Sequence, residues 1–153
     1  MPTVQIELPI ELPAQRPLVP AEAAIVLCDQ DERVIVEWCE SGVFSWSWDI
    51  ATPEAARREI RIWRSSLLAH LRNCRQPAAS WPEVVDDVLP QRERIRSTEL
   101  ERLFSCSHDH IASLIACRVF EQLGDRLAER GPNSYRVVSR KSVVEFLSGR
   151  RIS

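Results

Sequence analysis

The sequence predicts an α+β protein: a small N-terminal three-stranded β-meander with one covering helix, a linker helix, and a C-terminal unit of two helices, a hairpin and a closing helix. Three observations carry this. β-branched and aromatic residues crowd positions 24–50, apolar residues recur at helical spacing over 56–71 and 100–115, and prolines and cap residues separate the runs. At 153 residues, 44% hydrophobic and 27% charged, the chain suffices for one modest domain or two very small ones. Collagen, coiled coil and wholesale disorder are excluded.

Residues 1–20 carry Pro2, Pro9, Pro13, Pro17 and Pro20 among alternating Ile and Leu and are expected as an extended arm. Residues 24–28 (AIVLC) and 33–39 (RVIVEWC) read as paired strands around a polar turn. Over 43–50, Phe44, Trp46, Trp48 and Ile50 face one way and Val43, Ser45, Ser47 and Asp49 the other, as in a half-buried third strand. Thr52, Pro53 and Glu54 offer an N-cap, a proline at the first helical position and a first-turn acid. A helix is therefore expected from there to about residue 72, burying Ala56, Ile60, Trp63, Leu67 and Leu71 on the meander. Arg57, Arg61 and Arg64 would line its solvated face or offer a second contact to nucleic acid or an acidic partner. Residues 22–72 make one unit, and residues 1–72, the arm included, are expected to pair two chains as a homodimer. Residues 73–90 are a linker whose Ser80-Trp81-Pro82-Glu83 fits a capping box, with a short helix ended by Pro90. No internal repeat is evident.

Leu100, Leu103 and Phe104 define a short amphipathic helix, Ser105-Cys106 breaks it, and Ser107 can cap a second helix with Ile111, Leu114 and Ile115 inward. Residues 119–123 and 134–138 read as strands flanking a turn-rich loop. Ser139 then caps a helix with Val143, Phe146 and Leu147 inward, followed by Gly149 and a basic tail. In this order, residues 94–149 resemble the excisionase-like, MerR-type winged helix-turn-helix family. Residues 99–107 stand at its E-L-A-x-L-L-G-V-S segment and 136–147 at its R-[IV]-x-R-x-x-L-x-x-[FW]-L ending; Glu101 and Ser105 replace the family's Ala and Gly.

The resemblance implies a DNA-binding domain over 91–153. Ser107, His108, Asp109 and Ser113 would meet base edges or adjacent phosphates. Arg118, Arg126, Arg130, Asn133, Arg136, Arg140, Lys141, Arg150 and Arg151 would hold the double-stranded DNA backbone. The second helix has no Arg, Lys, Asn or Gln between Ser107 and Cys117, so readout is expected to be weak or shape-based.

Charge agrees with that expectation. Through Pro90 there are 8 Arg against 14 Asp and Glu; from Gln91 there are 12 Arg and Lys against 8. No catalytic set assembles: Ser107, His108 and Asp109 are sequence neighbours that do not converge on one atom, and four glycines leave no phosphate loop. His108 and His110 diverge at a helix start, so no metal, cofactor or small-molecule ligand is expected. Five cysteines without a C-x-x-C pair read as small buried hydrophobes. With no membrane-length apolar run and no basic-apolar leader, the expected address is cytoplasmic, nucleoid-associated when bound. The competing expectation is a non-enzymatic adaptor whose acidic N-terminal unit binds a protein.

Overall fold

The computed structural model describes residues 16–124 and 136–152. The chain runs β1 (Leu18–Pro20), α1 (Ala21–Cys28), α2 (Glu32–Ser41), β2 (Ser47–Asp49), β3 (Ile60–Trp63), α3 (Arg64–Leu71) and α4 (Trp81–Val88). It continues through β4 (Arg94–Arg96), α5 (Ser97–Leu103), α6 (His108–Ala116), β5 (Gln122–Leu123), β6 (Val137–Ser139) and α7 (Arg140–Gly149). Among the described residues this is an α+β protein of seven helices and two antiparallel three-stranded sheets, ordered β1-β3-β2 and β4-β6-β5.

The N-terminal unit departs from the sequence expectation. The two segments expected as hairpin strands, 24–28 and 33–39, are helical. Asp29 enters the left-handed region (φ 51) to close α1, and the Asp31 side chain accepts from Val34 N at 3.0 Å to start α2. Within α2, Ile35 and Cys39 are fully buried while Glu32, Glu37 and Glu40 are exposed, a helical period inside a β-branched run. The helix expected from Pro53 is absent: Thr52 makes only a turn, its carbonyl accepting from Ala55 N at 3.0 Å. Residues 60–63 instead form the middle strand, all four buried, because β1 and β2 both need a partner. The meander is thus replaced by a sheet whose first strand lies in the Pro-rich arm. Of the expected third strand only Ser47–Asp49 is regular strand, although Phe44, Trp46, Trp48 and Ile50 are all buried. The arginine stripe dissolves: Arg57 is exposed in a loop, Arg61 is 5% exposed inside β3, and Arg64 opens α3.

The later elements follow expectation more closely. Ser80 and Glu83 close the capping box of α4. Ser107 caps α6 and Ser139 caps α7, and Ile111, Leu114, Ile115, Val143, Phe146 and Leu147 are buried. β4, which the sequence reading left unassigned, pairs with β6, and β5 keeps only two of the five residues expected in its strand.

The two sheets belong to two copies of one unit. Each is a strand, two helices, two strands and a helix, with the same sheet order, and residue n of the first matches residue n + 76 of the second, Leu18 with Arg94 and Arg64 with Arg140. Hydrogen bonds repeat at this offset. Arg64 N donates to Pro17 O and Arg140 N to Glu93 O, both at 2.8 Å; Asp29 N donates to Val26 O and Ser105 N to Arg102 O, both at 3.3 Å. Phe44 N reaches Trp38 O at 3.4 Å and Phe120 N reaches Leu114 O at 3.3 Å. The left-handed residues coincide as well, Asp29 with Ser105 and Gly42 with Arg118, as do the buried pairs Ile35 and Ile111, Phe44 and Phe120, Ser66 and Ser142.

The copies stack head to tail. In the first sheet, Leu18, Arg61, Trp63 and Trp48 share one face, and Val19, Ile60 and Ile62 the other. The second face packs on the unit's own helices with Ile35, Cys39, Phe44 and Leu67. The first face joins a larger core with Val84, Val85 and Val88 of α4 and with Leu100, Phe104, Ile111, Phe120 and Val138 of the second unit. At this seam the Arg61 guanidinium donates to Phe104 O (2.7 Å) and Ser105 O (3.1 Å), and the Ser105 hydroxyl donates to Leu18 O (2.9 Å). The tail completes it: Asp49 N donates to Arg150 O and Ile152 N to Ser47 O, laying Arg151 along the outer edge of β2.

Candidate nucleic-acid interface

α5 and α6 are joined by a tight turn that Ser105 makes at φ 49, and α6 begins where the Ser107 side chain accepts from His110 N at 3.1 Å. The buried Ile111, Leu114 and Ile115 fix which side of α6 faces inward. Ser107, His108, Asp109, Ser113 and Ala116 are exposed, and Ala112 is half-buried. His108 Nδ1 lies 3.0 Å from Glu101 Oε1, which holds the ring beside the turn. His110 is turned the other way, its Nε2 against Ile50 O at 2.6 Å, and belongs to the seam between units.

The cations expected to hold DNA divide into three groups. Arg118, Arg136 and Lys141 are exposed. Arg118 ends α6 in the left-handed region (φ 59), and Arg136 is pinned by its backbone, its N–H donating to the Ser97 hydroxyl at 3.0 Å. Arg140, Arg150 and Arg151 are engaged within the chain. Arg140 donates to Pro90 O and pairs with Asp86 at 3.2 Å; Arg150 lies over the Phe146 ring; Arg151 sits 3.4 Å from the Trp46 ring centroid and donates to Ser45 O. Loss of hydration where its guanidinium lies on the ring lowers the Arg151 pKa. Arg126, Arg130 and Asn133 lie outside the described residues.

The structure adds cations that the sequence reading did not single out. Arg94 and Arg96 project from β4 on the face opposite the buried Ile95, and Arg102 is exposed on α5. The alternation Arg94-Ile95-Arg96 is the signal that could have found them. Arg92 beside them pairs with Glu99.

Among the described residues no group of three His, Cys, Asp or Glu could hold a metal ion. A cleft of about 300 Å³ at the start of α6 is lined by Arg16, Glu59, Arg61, Ser107 and His110. Another of about 810 Å³ runs between Asp86, Arg92, Glu121, Arg140 and Glu145, its charges mixed. No described helix is long and apolar enough to cross a membrane. No protein-family model, curated protein or solved structure matches the chain.

Proposed function

We propose that residues 91–153 form a winged helix-turn-helix that binds double-stranded DNA, with α6 as its recognition helix. The observation that carries this reading is the helix pair α5–α6, joined by a tight turn, with the outer side of α6 exposed; Arg102 and Arg118 are exposed on α5 and just past the end of α6, and Arg136 and Lys141 are exposed elsewhere in the same unit. Phosphate contacts from these cations position the module, while Ser107, His108, Asp109 and Ser113 meet the groove. A helix face of small side chains, with Asp109 its one carboxylate and no Arg, Lys, Asn or Gln, makes few bidentate base contacts, so affinity is dominated by the backbone and sequence preference by DNA shape. The corresponding helix of the first unit does not share the task. It carries Glu32, Glu37 and Glu40 where α6 has His108, Ser113 and Ala116, and carboxylates there repel phosphate.

Titration of a labelled random-sequence duplex at several salt concentrations tests the proposal. Contact with about four or five phosphates gives a log–log salt slope near −4. Substituting Arg118, Arg136 or Lys141 by Ala lowers the slope by about one each. Absence of binding at low salt, or binding indifferent to salt, overturns it.

A further inference from the structure

The seam between the two units uses only one of each unit's two complementary surfaces. In the first unit the outer sheet face, Leu18, Arg61 and Trp63, is covered by the α5–α6 turn of the second. The two remaining counterparts lie at opposite ends of the chain: the α1–α2 turn of the first unit and the outer sheet face of the second. Their side chains differ from those of the filled seam in a correlated way. Where the covered sheet has Leu18, Pro20 and Arg61, the same face of the second sheet has exposed Arg94 and Arg96 and a buried Val137. Where the covering turn has Ser105 in the seam and exposed Ser107 and His108 beside it, the corresponding turn has exposed Asp29, Asp31 and Glu32. The α1–α2 segment, residues 21–41, carries six acids and one arginine, against three acids and one arginine in the matching 97–117. Beside it Val26 is 69% exposed, on a helix whose other large side chains are only half-buried.

We propose that the acidic α1–α2 turn of one chain docks on the arginine face of the β4-β6-β5 sheet of a second copy, repeating between chains the stacking seen within one. The contact is heterologous: each chain offers a different surface at each end, so copies add in a row unless the rotation closes a ring. Opposite charges replace the apolar pairs of the internal seam. An apolar interface would fuse copies permanently, whereas a charged one forms reversibly and weakens as salt screens it.

Sedimentation velocity on the full chain decides it. At about 50 mM salt the mean mass rises above one chain as concentration approaches about 100 μM, and at about 0.5 M salt it returns to one chain. Arg94→Glu with Arg96→Glu, and separately Asp29→Lys with Glu32→Lys, each leave a single chain at low salt with an unchanged helical spectrum. The variant combining all four substitutions associates again, because both charges are inverted together; this rescue separates a docking contact from damage to the fold. A single chain at every concentration overturns the proposal. So does an assembly indifferent to salt, which would mean pairing through another surface such as residues 1–72, or one that the paired substitutions leave intact.

Discussion

Arg118 is held in a backbone conformation that suits glycine, and the matching position of the first unit is glycine, Gly42 at φ 81. A non-glycine residue there costs about 1 kcal/mol through the contact between its Cβ and the backbone. Arg118→Gly is therefore expected to raise stability by about that amount, read as a higher denaturation midpoint. If the strained arginine serves phosphate contact, the same substitution weakens DNA binding severalfold and flattens its salt slope by about one. Arg118→Ala loses the same affinity without the gain in stability, which separates the charge from the strain. Two thiols give a second prediction at this scale. Burial pushes Cys39 up to about 11 and Cys106 up to about 12, from the ordinary 9.0. Between pH 9 and those values the unfolded chain releases protons that the folded chain retains, so their contribution to stability is complete below pH 9 and is lost as pH rises through the folded values. Denaturation midpoints measured from pH 8 to 11 should fall, and Cys106→Ala should flatten that fall whatever it does to the midpoint at pH 8.

Which elements the sequence disclosed depends on whether local signals and packing agree. α4, α6 and α7 each begin at a serine that caps them and bury the stripe their spacing predicts, so Ser80, Ser107 and Ser139 were legible. α1 and α2 were not. Their Ile and Val residues favour strands by composition, and the decisive helical signal was the Asp29 and Asp31 pair, which ends one helix and caps the next. β3 was hidden by a convincing false start, Thr52-Pro53-Glu54, and by Arg61, an arginine whose burial depends on carbonyls 43 and 44 residues away. Of the candidate interface, the α6 residues were readable because they follow from its cap and period. That Arg150 and Arg151 are engaged within the chain was not legible, because nothing local reveals that the tail lies along β2. The repeat is faint in the sequence because its identities are few and scattered, as at Ile35 and Ile111 or Phe44 and Phe120, while most positions share only backbone conformation and burial, as Asp29 and Ser105 share a left-handed backbone.

At the scale of the whole molecule, two small units are made into one folded body by the sheet between them. The β1-β3-β2 sheet is buried on both sides, and its outward Leu18, Trp48 and Trp63 sit in the same core as Leu100, Phe104 and Phe120. A unit of about 60 residues is near the lower limit of independent stability, and each large apolar side chain buried contributes about 2 kcal/mol. Cutting the chain before Gln91 removes Trp46, Trp48, Trp63 and the valines of α4 from that core at once, and strips the partner from the hydrogen bonds that Arg61 gives to Phe104 and Ser105. The full chain should therefore unfold in a single transition by both tryptophan fluorescence and far-ultraviolet circular dichroism. A fragment of residues 91–153 should show collapsed amide dispersion at 25 °C, and a fragment begun at residue 79 to include α4 should recover part of it. Two separate transitions in the full chain, or a well-dispersed spectrum for the shorter fragment, would show that the second unit stands alone and that the seam is only a contact.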